Sequence, residues 1–223
     1  MEKIEAVIFD MDGLMFDTER VWLNSVLYIS KEYNLNIPRQ SLIDCVGLGS
    51  KESKKLILGV MGSDFDFDKY NKLAWIYMYD CLDKLGLECK KGLVQLLDFL
   101  KHNNIKIGIA SSSFYQTILA DIKYAKVSMD YFDSIIGGDM VKNTKPDPEI
   151  YFENCKKLGV NPKNALALED SNYGALAGIN AGIRTVCVPD LTTPTQEIKK
   201  RAFAIKHDLL EVIDLIKKIN DIE

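Results

Sequence analysis

Much is missing from this 223-residue chain, and each absence excludes a class of function. There is no basic block: 28 Lys and Arg stand against 32 Asp and Glu, for a net charge of -4. Binding a nucleic-acid backbone requires clustered cations, so no nucleic-acid partner is expected. No apolar run approaches the ~18 residues a membrane span needs, so no membrane partner is expected either. The five cysteines, Cys45, Cys81, Cys89, Cys155 and Cys187, are scattered and odd in number. None forms a C-x-x-C pair, which argues against a disulfide framework and a thiolate zinc site. They read as small hydrophobes in a reducing cytoplasm. Met1-Glu2-Lys3 leads straight into the first apolar run, so no secretory leader is expected. The two histidines, His102 and His207, sit among polar neighbours and read as surface residues. Repeats and low-complexity tracts are absent as well.

What is there is an ordinary globular composition, 47% hydrophobic and 27% charged, that changes rhythm along the chain. Ala6-Val7-Ile8-Phe9 is a continuous apolar run, the pattern of a central parallel strand covered on both faces. Residues 18–34, 39–60 and 69–85 carry helical spacing, broken by Val46-Gly47-Leu48-Gly49-Ser50, with no convincing strand among them. From residue 92 onward helix and strand alternate. Strands are expected over 105–110, 133–137, 165–168 and 185–188, and helices over 92–103, 114–126, 147–158, 171–181 and 208–219. Alternation of this kind predicts a parallel sheet wrapped by helices. The expected fold class is therefore α/β, a Rossmann-like parallel sheet core with an inserted all-helical cap domain. Residues 1–16 and 88–223 would form the core, and 17–87 the cap.

Ligands of such sheets bind beyond the carboxyl ends of the strands. The first expected strand empties into Asp10-Met11-Asp12-Gly13, the second into Ser111-Ser112-Ser113. The third leads to Gly137-Gly138-Asp139 and then Lys145-Pro146-Asp147, the fourth to Glu169-Asp170-Ser171. Alone, Asp-x-Asp-Gly is what a solvated turn would also use. Four strand ends that deliver acids, hydroxyls and one lysine to the same rim point instead to a site. Asp10, Asp12, Glu169 and Asp170 would repel one another without a counter-charge. A hard divalent cation, Mg²⁺, resolves that with carboxylates, waters and a phosphate as ligands. Lys145 and the Ser111 hydroxyl would hold phosphate oxygens, helped by the backbone near Ser112. Asp10 is placed for nucleophilic attack on phosphorus and Asp12 for proton transfer.

These strand-end motifs closely resemble the haloacid dehalogenase-like hydrolase superfamily. Its D-x-D-G motif stands as Val7-Ile8-Phe9-Asp10-Met11-Asp12-Gly13, its Ser/Thr motif as Ile109-Ala110-Ser111. The family's lysine stands in Lys145-Pro146-Asp147-Pro148, and its last acidic motif in Leu168-Glu169-Asp170-Ser171-Asn172-Tyr173-Gly174. The resemblance implies an aspartyl-phosphate at Asp10, acid/base work by Asp12, and Mg²⁺. The metal contacts it implies are the Asp10 carboxylate, the Asp12 carbonyl, Asp170 and Glu169. The position of the helical insertion, and Phe16-Asp17-Thr18-Glu19 at its entry, are similar to the subgroup containing β-phosphoglucomutase and phosphoglycolate phosphatase. Hinges are expected near Asp17 and across Gly86 to Lys91.

Within that subgroup a mutase would be expected to carry a cap histidine where this chain has Trp22. It would also carry a distal-phosphate arginine where Gly47-Leu48-Gly49-Ser50-Lys51 stands. The preferred reading is therefore a Mg²⁺-dependent phosphatase acting on a small phosphorylated metabolite. A sugar-phosphate mutase is the alternative, and a non-enzymatic binding protein the remoter one. Trp22 reads equally as a substrate-stacking surface or as interior packing, and Lys51 as a ligand or a solvated lysine.

Overall fold

The computed structural model describes residues 2–45 and 50–222. The loop containing Gly47 to Gly49, expected to face the core, lies outside the described residues, as does the side chain of Ser50. Six parallel strands form one sheet in the order β3-β2-β1-β4-β5-β6. They are β1 (Ala6–Phe9), β2 (Lys106–Ala110), β3 (Ser134–Ile136), β4 (Ala165–Glu169), β5 (Arg184–Cys187) and β6 (Ala204–Ile205). The core helices are α5 (Leu93–His102), α6 (Tyr115–Tyr124), α7 (Glu149–Leu158), α8 (Asn172–Asn180), α9 (Gln196–Arg201) and α10 (Leu210–Asn220). Four helices stand between β1 and β2: α1 (Thr18–Glu32), α2 (Arg39–Ile43), α3 (Ser50–Met61) and α4 (Phe67–Leu85).

Every residue of β1 is buried. Its neighbours are β2, with Val7 opposite Ile107, and β4, with Val7 opposite Leu166. Successive side chains of a strand face opposite ways. Val7 and Phe9 accordingly join the cluster with Ile107, Ile109, Leu166 and Leu168, while Ala6 and Ile8 join Ala165, Ala167 and Tyr151 on the other face. The strand order reverses direction across the β1–β4 pair, the switch point where a crevice opens at the carboxyl ends. Asp10 and Glu169 sit there.

The helical insertion has its own apolar cluster, including Leu23, Val26, Leu42, Ile57, Phe67 and Tyr70. The second half of α4 departs from it: Met78 and Leu82 belong to the sheet's main cluster. Chain entry to and exit from the insertion run side by side. Asp17 N–H donates to the Glu88 carbonyl at 3.0 Å, and Lys90 N–H to the Met15 carbonyl at 2.8 Å. Phe16 and Cys89 form an antiparallel bridge between them. Lys90 reaches Asp17 at 3.0 Å and Asp190 at 2.8 Å, and Arg20 reaches Asp190 at 2.7 Å.

All five cysteines are free, and His102 and His207 are exposed. Among the described residues no helix is long and apolar enough to cross a membrane.

Candidate active site

Asp10 is the first residue past β1, and its N–H donates to the Leu168 carbonyl of β4 at 2.9 Å. That bond ties the two strand ends together and sets Asp10 beside Glu169 and Asp170. All three acids are buried, and one oxygen from each lies within 4.8 Å of the others. A single ammonium answers them. Lys145, its side chain only 3% exposed, donates to Asp10 Oδ1 at 2.5 Å, Glu169 Oε1 at 2.6 Å and the Ala110 carbonyl at 2.8 Å. An ammonium has three N–H donors, and here each has a partner. Tyr151, in the first turn of α7, donates to the same Glu169 Oε1 at 2.6 Å.

Burial pushes the Asp10 carboxyl well above the usual range; Lys145 opposes that, and Glu169 and Asp12 reinforce it. Asp170 is raised too, first by burial and then by Glu19, Asp10 and Glu169. For Lys145 burial works against the charge, but Asp10 and Glu169 outweigh it and hold the ammonium above its ordinary value. Three acids against one lysine leave two uncompensated negative charges when all are ionised.

The donor set fits a hard divalent cation on a second count. Asp170 Oδ2 is buried with no hydrogen-bond partner among the described residues, and so is Glu19 Oε2 in the first turn of α1. A Cβ on Gly13 would come within 2.5 Å of that Asp170 oxygen and 2.9 Å of the Glu19 one. Gly13, at φ +82°, therefore leaves these two unsatisfied oxygens room beside the turn. Asp10 and Asp170 are the side chains best placed to hold such an ion. Both Glu169 oxygens already have protein partners: Lys145 and Tyr151 on Oε1, and Ser171 Oγ at 3.5 Å on Oε2.

Asp12 is held apart from that cluster by hydroxyls. Thr18 Oγ1 donates to its Oδ1 at 2.7 Å, while Ser111 Oγ and Ser113 Oγ donate to its Oδ2 at 3.1 and 2.9 Å. Thr18 begins α1, so the insertion itself contacts this carboxylate. Ser111 is fully buried and also accepts from the Ser113 N–H at 3.0 Å.

A cavity of about 410 Å³ opens over the acids. Asp10, Asp12, Asp170, Lys145, Ser112 and Trp22 line it, whereas Ser111 lies behind its wall. Lys51 does not line it and is exposed at the start of α3. The structure thus brings Asp10, Asp12, Ser111, Ser112, Lys145, Glu169 and Asp170 to one place, puts Trp22 on the wall, and leaves Lys51 outside.

Three contributors escape the strand-end rule: Thr18, Glu19 and Tyr151. Thr18 and Glu19 stand at a helix start, where Thr and Glu have ordinary capping and first-turn uses. Ser113 reads as a cap for the following helix, but α6 begins behind Phe114 with no side-chain cap, and the hydroxyl goes to Asp12. Tyr151 reads as a core aromatic, and nothing in its spacing signals a carboxylate partner.

A protein-family model described as haloacid dehalogenase-like hydrolase matches residues 7–188. The phosphorylated carbohydrates phosphatase of Thermotoga maritima is 29% identical over 183 residues, covering 82% of this chain and 84% of that protein. Pyrophosphatase PpaX of Bacillus cereus is 27% identical over 227 residues, covering 98% of each chain. Among solved structures, β-phosphoglucomutase of Clostridium difficile superposes with a TM-score of 0.79 at 27% identity, covering 98% of this chain and 97% of that one. On the family match and the site together, the chain belongs to the haloacid dehalogenase-like hydrolase family, as a phosphoester hydrolase or phosphomutase.

Proposed function

We propose that this protein hydrolyses a small phosphomonoester through a phosphoryl group carried on Asp10. The Asp10 carboxylate attacks phosphorus as the ester P–O bond breaks, and Asp12 gives its proton to the departing alcohol oxygen. Asp12 then takes a proton from the water that attacks phosphorus, and the bond to Asp10 breaks to release phosphate. Lys145 holds Asp10 in place and balances charge, and Ser112 and backbone donors nearby steady the phosphoryl oxygens. The divalent ion we assign is Mg²⁺, which when bound would neutralise Asp10, Asp170 and the phosphate together. The helical insertion serves as a cap that excludes water from the reacting groups.

The observation that carries hydrolysis over phosphoryl relocation is the charge of the cavity wall. Among the described residues Lys145 is its only cation, and Val46 to Ser50 contribute no cationic residue. A mutase must grip a second phosphate while the first is transferred. The alternative keeps the support of the β-phosphoglucomutase neighbour.

The test is release of phosphate from a panel of phosphomonoesters with Mg²⁺, including β-glucose 1-phosphate with its bisphosphate. Phosphate release without glucose 6-phosphate supports hydrolysis, and accumulation of glucose 6-phosphate supports the mutase. Asp10→Asn is expected to lose at least ~10³-fold in kcat, the scale of losing a catalytic nucleophile. Comparable turnover by that variant would overturn the nucleophile assignment.

A further inference from the structure

The cavity runs well past the acids. Phe67, Tyr70, Asn71, Trp75 and Met78, all on α4, line it, so it follows that helix for ~16 Å at the rise of an α-helix. Its volume lies within the range of small-molecule sites, ~300–1,000 Å³. Beyond the catalytic end the wall is built from Trp22, Val26, Ile57, Phe67, Trp75 and Met78, and the exposed Phe114 also lines it.

Polar groups on that wall are few, and most are already engaged. Thr18 is bonded to Asp12, and the Tyr70 hydroxyl donates to the Val26 carbonyl at 2.7 Å and pairs with Ser30. Thr117 on α6 pairs with the Tyr79 hydroxyl, so among the described residues this leaves Ser53 and Asn71 on the helical insertion and Asp121 on α6. A sugar would bring several hydroxyls into this space and strand most of them without partners, at a cost for each.

Asp121 is the exception that points to a ligand. It is 2% exposed, it lines the cavity, and its Oδ1 has no hydrogen-bond partner among the described residues. Burial, with Asp12 nearby, pushes this carboxyl up to about 8, so at neutral pH it can donate a hydrogen bond as well as accept one. A buried polar group without a partner is costly, and one aimed into a binding cavity finds its partner on the ligand.

We propose that the organic part of the substrate is a flat, largely apolar aromatic ring seated along α4, with a hydrogen-bonding atom on the ring that Asp121 meets. The substrate class is the phosphate ester of a heteroaromatic alcohol. This rests on the phosphatase reading above but is read from a different part of the cavity. Asp121 is a specificity-determining residue; it takes no part in the phosphoryl step.

The test compares four esters of primary alcohols, so that the leaving groups are matched: benzyl, pyridin-3-ylmethyl, glycerol 3- and glucose 6-phosphate. Both ring esters are expected to exceed glucose 6-phosphate by ~50-fold in kcat/KM, the discrimination a well-filled apolar pocket gives. The pyridyl ester is expected to exceed the benzyl ester, and Asp121→Leu to bring that ratio close to one. Trp75→Ala is expected to raise KM for the ring esters far more than for glycerol 3-phosphate. Glucose 6-phosphate turned over as well as the ring esters, or a pyridyl preference that survives Asp121→Leu, would overturn the proposal.

A binding readout separates this proposal from the reading beneath it. The chain has two tryptophans, and both Trp22 and Trp75 line the cavity. Benzylphosphonate, which cannot be hydrolysed, is therefore expected to change the intrinsic tryptophan fluorescence of the Mg²⁺-loaded protein. If no ester is turned over, the phosphatase reading fails, and saturable quenching by benzylphosphonate with none by glucose 6-phosphate still upholds the ring site. No quenching by benzylphosphonate rejects the ring site whatever the turnover shows.

Discussion

Glu169 has nowhere to go. A Cβ on Gly174 would lie 2.0 Å from its Oε2 and 2.1 Å from its Oε1, far inside contact distance, while Lys145 and Tyr151 hold Oε1 from the other side. Gly174→Ala is therefore expected to cost ~3 kcal/mol or more in urea unfolding, as overpacking against a buried charged group does. It should also depress turnover by displacing Lys145. Asp121 gives the opposite sign. Its carboxyl stays neutral up to about pH 8 in the folded chain and ionises from about 3.8 in the unfolded one. Below the lower value both states are protonated and nothing is lost. As pH rises through that window the unfolded chain gains from ionisation and the folded chain does not, so stability falls and then levels off. Asp121→Asn removes the dependence. The variant should gain on the parent protein from pH 4 to pH 8, by a few kcal/mol at most on the scale of ~1.4 kcal/mol per pH unit, in urea titrations at a series of pH values. At this scale the sequence disclosed the carboxylates and Lys145, because each follows a strand end. It did not disclose Tyr151 or Asp121, because a helix residue acquires its partners only when the helices are docked.

Helices and strands were legible wherever apolar periodicity was long. β1 and β4 read as buried runs and β2 as a strand behind the exposed Lys106, and α5 as a stripe of Leu93, Leu96, Leu97 and Leu100, all buried. α9 and β6 were not legible. Ala204–Ile205 is only two residues long, too short for any period, and α9 buries Ile198 alone. Their place is set by pairing with β5, where Cys187 stands opposite Ile205, information that no local window contains. The paired linkers at 15–17 and 88–90 carry a consequence for motion. Lys90 bridges Asp17 on one linker's side to Asp190 on the core, with its side chain 21% exposed. Lys90→Met is expected to cost ~1 kcal/mol, at the upper end for a partly exposed pair. The amides of Asp17 and Lys90, which cross-link the two linkers, should then exchange ~5-fold faster, while amides in β1 and β4 keep their protection. Hydrogen exchange with residue resolution checks it.

For the whole molecule, the concentration of charge at one end of the sheet would couple folding to the divalent ion proposed above. A ligand that binds only the folded chain adds ~2.7 kcal/mol at one hundred times its Kd, which for a protein of this size raises Tm by ~5–10 °C. Mg²⁺ titrated into the chelator-treated protein should give a shift of that order. Asp170→Asn, which removes the carboxylate whose Oδ2 is without a partner, should abolish most of it. The last consequence lies in how the helical insertion is plugged in. Because Asp17 is bonded to Glu88 and Lys90 to Met15, the chain leaves the sheet and returns to it through one doorway. Closure entropy grows only with the logarithm of what lies beyond such a doorway, so the sheet is indifferent to the size of its passenger. On the proposed reading, the reacting groups and the groups that select the alcohol are then separable inheritances. A different bundle could be spliced in at this doorway and retarget the same chemistry, provided it restores a hydroxyl to Asp12 in place of Thr18 and apolar cover in place of Met78 and Leu82.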